Sequence, residues 1–430
     1  MRRVAVVFAF ALVAAGLYGP AGKSGAVAQT PAKSSAVLAL VEAFNGSRLV
    51  WLDPATLRPL KRASVALPPG GARSPVYSPA GSPVFSPAGR YIALGGLGSI
   101  GVRIVDLRQM RVTARVAAGR YSNRRLVPLA WPDPRRLLVL DSPQDALGAR
   151  QRLLVVDPVA RRTVARFPAE GWTTWARAGR KLVVLMGSET GLDAMRLAVL
   201  GPGGGVLGTA DVRLPRDAGS GSRAALPGFT VSAPDDLAFM VGSETVAKVD
   251  LETLEVSYLE LSESRSFLSR VFGWLEPAAQ AKELVPVFSR QATWLGNGSL
   301  AVSGASYESG RSTPSGLQLI DTRTGAVRTL EPRASAHRFS QGLLLAFGAD
   351  RDGATNVESG MGVSALTADG AILWHALDDE PVWLAETAAG YAYVPTPVES
   401  FPPGIRVIDL ATGAVIRTVR GEMPTFVVRD

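Results

Sequence analysis

One phrase recurs through this chain and restricts its fold more than any other feature: an apolar strand that ends in Asp, then a short turn into a second strand. It reads Leu49-Val50-Trp51-Leu52-Asp53-Pro54-Ala55-Thr56, then Val102-Arg103-Ile104-Val105-Asp106, then Leu153-Leu154-Val155-Val156-Asp157-Pro158. Later copies run Val246–Thr253, Leu317–Gly325 and Ile405–Gly413. Degenerate copies around Leu200-Gly201-Pro202-Gly203-Gly204 and Leu366-Thr367-Ala368-Asp369-Gly370 bring the set to eight. An Asp at a strand end accepts hydrogen bonds from backbone amides two or three residues on, and Gly closes short hairpins by adopting positive φ. Each phrase therefore predicts a hairpin, and self-similarity at a fixed interval predicts a repeat architecture.

A second hairpin precedes most copies. Ser86-Pro87-Ala88-Gly89-Arg90-Tyr91-Ile92-Ala93-Leu94 is the clearest, with parallels at Trp131–Val139, Arg177–Val184 and Gly296–Val302. Two hairpins per unit make four antiparallel strands, the content of one propeller blade. The prediction is an all-β propeller of eight four-stranded blades, or seven if one degenerate copy is an elaborated loop. The first unit, opening at Ala36-Val37-Leu38-Ala39-Leu40, lacks an innermost strand, whereas a spare strand, Pro424–Val428, follows the last unit. The C-terminal strand is thus expected to complete the first blade and close the ring, removing an exposed sheet edge.

At the Ser-Pro-x-Gly-Arg-Tyr and Ile-Asp-x-x-Thr-Gly hairpins the chain resembles the secreted YVTN and WD-like β-propeller repeats of bacteria, over about residues 36–430. The Gly-His and Trp-Asp signature of true WD repeats is missing, as is the Tyr-Val-Thr-Asn string. The resemblance implies the fold and little about activity, because such repeats serve many roles.

The N-terminus carries Arg2 and Arg3, an apolar run from Val4 to Leu17, and small residues ending in Ala26-Val27-Ala28. This order predicts a signal peptide over residues 1–28, a disordered leader over 29–35 and a secreted protein, extracellular or held in the periplasm or envelope. With no cysteine, the fold has no disulfide or thiolate metal site available to it. Loss of Arg2, Arg3 and Lys23 takes the formal charge from +9 to +6, and the remaining basic residues are scattered. A nucleic-acid binder would cluster them, so no nucleic-acid partner is expected. After cleavage no segment has transmembrane length, and a monomer is expected.

Long connections fall between second and third strands and between blades: Asp141–Arg150, Gly187–Ala194, Ser303–Gly316, Gly348–Gly360, Pro395–Gly404 and about 262–288. All belong to one end of a propeller, which becomes the candidate functional face. In the last of these, Phe267, Leu268, Val271, Phe272 and Leu275 recur at helical spacing between Ser264 and Pro277. A helical insertion at about 262–288 follows, and Phe267, Arg270, Val271 and Trp274 are candidates for a partner or membrane-surface contact.

Only His337 and His375 are present, and the Gly-x-Ser-x-Gly elbow and phosphate-cradling glycine loop are absent. Calcium needs only oxygen ligands, and Asp350, Asp352, Asn356 and Glu358 place such ligands on one long connection, a calcium candidate. No other cofactor is implied, and no catalytic residue is assigned. The expected function is non-enzymatic binding of a protein, glycan or cell-envelope ligand through the loop-rich face. The alternative is a divalent-metal-dependent enzyme of lactonase or lyase type, for which Asp141, Glu189, Asp193, Glu244 and Asp352 would face the channel.

Overall fold

Apolar positions alternating over five to eight residues, punctuated by Asp- and Gly-bearing turns, build antiparallel strands that hide their faces only by stacking against further sheets. The computed structural model describes residues 34–43, 46–67, 83–97, 101–116, 124–143, 151–169, 171–187, 194–214, 226–263, 289–308, 311–352, 357–397 and 403–427. The described residues form eight four-stranded antiparallel blades, and no helix occurs among them.

Blade 1 contains β1 (Val37–Ala43), β2 (Gly46–Leu52) and β3 (Val65–Leu67). Blade 2 contains β4 (Val84–Phe85), β5 (Tyr91–Leu94), β7 (Val102–Asp106) and β8 (Arg111–Val116), while the intervening β6 (Gly96–Leu97) pairs with the next blade. Blade 3 is β9 (Arg124–Asp133), β10 (Arg136–Pro143), β11 (Gln151–Asp157) and β12 (Arg162–Ala169). Blade 4 is β13 (Trp172–Ala178), β14 (Lys181–Gly187), β15 (Met195–Leu200) and β16 (Val206–Val212). Blade 5 is β17 (Gly228–Ser232), β18 (Leu237–Val241), β19 (Thr245–Asp250) and β20 (Val256–Glu260).

Blade 6 holds β22 (Ser289–Trp294), β23 (Ser299–Glu308), β25 (Leu317–Asp321) and β26 (Ala326–Glu331), with two additions, β21 (Ser262–Glu263) and β24 (Arg311–Pro314). Blade 7 is β27 (Ala336–Ser340), β28 (Leu343–Asp352), β29 (Val357–Thr367) and β30 (Ile372–Ala376). Blade 8 is β31 (Glu386–Ala388), β32 (Tyr391–Pro395), β33 (Gly404–Asp409) and β34 (Val415–Arg420). Both degenerate copies of the repeat are blades, the fourth and the seventh, so the count is eight.

The ring closes as the sequence predicts. β35 (Thr425–Phe426) pairs antiparallel with β1, Phe426 opposite Ala39 and Thr425 opposite Leu40, and the Val427 N–H donates to the Leu38 carbonyl at 2.8 Å. Phe426 stacks on Tyr393 of blade 8, with ring centroids 4.2 Å apart. The Tyr393 hydroxyl in turn donates to the Pro54 carbonyl of blade 1 at 2.9 Å. Each of the eight blade junctions carries its own apolar cluster. The one that joins the ends sets Val37, Ala39, Val50 and Leu52 against Tyr393, Ile405 and Val407. Central strands are buried on both faces; Val183 and Leu185 look toward blade 5, whereas Leu182 and Val184 look toward blade 3. That is why these strands read as continuous apolar runs rather than as alternation.

The recurring Asp does what its position demands. Asp53, Asp106, Asp157, Asp250, Asp321 and Asp409 each accept from backbone N–H groups two or three residues on, at 2.8 to 3.2 Å. Four residues after each Asp the chain takes positive φ, at Leu57, Met110, Arg161, Leu254, Gly325 and Gly413. These turns nest against the preceding blade. Leu254 fills the space over Gly208 of blade 4, Arg161 Nη2 donates to the Thr113 carbonyl of blade 2 at 3.1 Å, and Trp374 of blade 7 lies over the blade 8 turn, its Nε1 donating to the Leu410 carbonyl at 2.9 Å. At Gly325 a side chain would run into the Glu260 carbonyl oxygen of blade 5.

Candidate functional site

Strand direction sorts the connections between two ends. Turns from first to second strand and from third to fourth strand share one end, and there the acids are already engaged. Hydrogen bonds from the turn amides, and for Asp53 first the Thr56 hydroxyl and for Asp106 first the Arg90 guanidinium, hold the carboxyls of Asp53, Asp106, Asp157, Asp250 and Asp321 below the usual carboxylate range. Arg90 reaches Asp106 with Nε at 3.0 Å and Nη2 at 2.7 Å. These acids are turn-builders.

The other end is where the blades differ from one another. Two connections expected to be long loops, Ser303–Gly316 and Gly348–Gly360, are β-ribbons over most of their length. β23 runs on to Glu308 and β24 returns along it, Glu308 opposite Arg311; β28 runs to Asp352 and β29 starts at Val357. The two ribbons join, Ser312 opposite Arg351, so blades 6 and 7 form one continuous sheet. An unpaired backbone group costs more than continued pairing, so the hairpins propagate although their polar residues give no apolar alternation to announce it. On blade 3 the same end is extended by β6, with Gly96 opposite Leu126 and Leu97 opposite Arg125.

The calcium candidates fall on the second ribbon. Asp350 and Asp352 lie in β28 and Glu358 in β29, not in a loop, and Asn356 lies outside the described residues. Asp350 pairs with Ser359, whereas Glu358 pairs with Arg351. In the register, Glu358 therefore lies one position away from the residues paired with the two aspartates, Ser359 and Val357. Of the enzyme-type acids, Asp141 is buried in β10, Glu244 is exposed in the turn before β19, and Glu189 and Asp193 lie outside the described residues. Among the described residues no three His, Asp or Glu side chains gather closely enough to hold an ion. Phe267, Arg270, Val271 and Trp274 lie outside the described residues; of the segment expected to carry a helix, Ser262 and Glu263 form β21, which runs parallel to the start of β26.

Both histidines are held by hydroxyls. His337, in the first strand of blade 7, is fully buried, with Nδ1 2.8 Å from Ser303 Oγ and Nε2 2.9 Å from Thr293 Oγ1, both on blade 6. Burial first, then the Arg338 charge, pushes its imidazole down to about 3, so it is neutral at physiological pH. His375 Nδ1 sits 2.8 Å from Ser364 Oγ on an outer strand of blade 7.

One feature of this end escaped the reading of the sequence. Arg103, at the start of β7, is 7% exposed, and its Nη1 is buried without a hydrogen-bond partner among the described residues. Arg115 of β8 stands directly opposite it. The signal was present: two arginines flank the Asp106 turn at matching positions of one hairpin.

No protein-family model matches this chain, and no curated protein sequence matches it at a significant level. Solved structures do share the architecture. Dihydro-heme d1 dehydrogenase NirN, in complex with DHE, superposes with a TM-score of 0.52 at 17% identity, over 90% of this chain and 74% of that one. Apo AztD from Citrobacter koseri gives 0.48 at 12% identity, over 91% and 97%. At 17% identity the likeness to NirN shows the β-propeller fold alone and leaves the activity open.

Proposed function

We propose that this chain is an exported, non-enzymatic propeller that binds a protein, glycan or cell-envelope ligand through its loop-rich end. The observation that carries this reading is the joined pair of ribbons on blades 6 and 7. Strand pairing gives the extension a fixed backbone, and a rigid scaffold that presents variable segments at one end is the usual architecture of a binding surface. The acids of the opposite end support it too, since turn amides already occupy them. NirN, which superposes on this chain, was solved in complex with DHE, and that supports a binding role without naming a ligand for this chain.

The test is to trim both ribbons, replacing Tyr307–Ser312 and Arg351–Glu358 each by Asn-Gly, and to compare capture of envelope-extract proteins and glycans by the purified proteins. Trimming is expected to abolish capture and to leave the thermal midpoint within about two degrees, because the eight junction clusters lie elsewhere. Undiminished capture refutes the reading. So does chelator-sensitive turnover of lactone, ester or polyuronate substrates, which would make the protein a metal-dependent enzyme.

A further inference from the structure

Arg103 is a buried charge with an unmet N–H. A guanidinium buried with an unmet N–H is less stable than an apolar residue of similar size, so its presence calls for a partner. The register says where that partner would sit. Arg103 pairs with Leu94, and Leu94 belongs to the apolar cluster between blades 1 and 2, so Arg103 lies on the face toward blade 1. Ser47, buried and level with Leu67 of the same cluster, stands on the facing side of blade 1 at the same end of the ring.

Arg115, exposed on β8, is Arg103's cross-strand neighbour. Like charges directly opposite in a sheet repel, and an anion bound at Arg103 would offset that repulsion. Burial first and the Arg115 charge second hold the Arg103 pKa below its ordinary value, the direction for a cation with no anion beside it. We propose that Arg103, with Arg115 at its mouth, forms an oxyanion site between blades 1 and 2 for a small ligand carrying a carboxylate, sulfate or phosphate group. The proposal rests on the loop-rich end being the binding side and deepens that reading by naming a ligand chemistry.

The experiment follows the thermal midpoint while the protein is titrated with inorganic phosphate, sulfate, acetate and galacturonic acid, the last separating a sugar-borne carboxylate from free anions. At least one anion is expected to raise the midpoint of the unmodified protein, to leave Arg103→Met unmoved, and to bind Arg115→Gln about tenfold more weakly. In anion-free buffer Arg103→Met is expected to melt at or above the unmodified protein, since a buried charge without a partner has been removed. The site is refuted if no anion shifts the unmodified protein, or if Arg103→Met responds as it does. An Arg103→Met protein that melts well below the original refutes it equally, because the side chain would then serve packing alone.

Glu42 stands level with Ser47 in the register. Glu42→Gln is expected to keep the anion response; a response seen only in that variant would make Glu42 the internal counter-ion and overturn the proposal. The ribbon-trimmed protein is expected to keep the anion response. A protein that ignores anions yet captures its ligand through the ribbons would therefore sink this site alone.

Discussion

The turn residue four places after each recurring Asp shows how one backbone conformation is served by different side chains. Positive φ costs a non-glycine residue about 1 kcal/mol, so Leu57, Met110, Arg161 and Leu254 persist there because of what their side chains touch or because the turn tolerates the strain. Arg161 is exposed, and its one described contact is the 3.1 Å hydrogen bond to Thr113. Arg161→Gly is therefore expected to stabilise the protein by about 0.5 kcal/mol, the relieved strain exceeding the added chain entropy. Gly325→Ala is expected to destabilise it by about 2–3 kcal/mol, because it meets both positive φ and the Glu260 carbonyl. Urea midpoints of the two variants check both signs, and a Gly325→Ala protein as stable as its parent would contradict the nesting of turns on neighbouring blades.

At the scale of elements, the sequence was most legible where apolar period and turn chemistry agree. Strands ending in Asp106, Asp250 or Asp321 announce themselves, and so does the spare strand at Thr425. Two kinds of element and one buried residue were not legible. The ribbons at β23–β24 and β28–β29 continue blades through polar residues, whose pairing leaves no apolar signature. The two-residue strands β6 and β21 exist only because a neighbouring edge is there to receive them. The buried state of Arg103 was hidden by its place between Val102 and Ile104, where alternation predicts an outward polar residue; the central strands of a blade are instead covered on both faces. Short as it is, β35 carries a large apolar side chain into the seam. Phe426→Ala is expected to cost about 3 kcal/mol, and removal of residues 423–430 to lower the melting temperature sharply. A truncated protein that melts within a degree or two of the original would show that the ring does not need this strand.

For the whole molecule, stability is shared among eight junctions, and the one between blades 6 and 7 contains the only fully buried imidazole among the described residues. A neutral His337 satisfies Ser303 and Thr293 in either tautomer, since one ring nitrogen donates and the other accepts from a hydroxyl. Its folded pKa, about 3, lies below the ordinary 6.5. Stability from this group is thus complete above pH 6.5 and is lost as pH falls toward 3. The Asp turns also have depressed values, and their contribution is complete above about pH 4 and fades only below it. The window from pH 6.5 to 4.5 therefore isolates the histidine. The unmodified protein is expected to lose about 2–3 kcal/mol across it, and His337→Gln to lose far less, as read from urea midpoints at the two pH values. Equal losses in both proteins would place the acid sensitivity elsewhere.

The seam sets an order on biosynthesis. The partner of β1 is the last strand of the ring to leave the ribosome, so a nascent chain carries an unpaired inner edge of blade 1 throughout translation. Seven finished sheets cannot shield it, and chaperone binding or cross-pairing between unfinished chains is most dangerous just before β35 emerges.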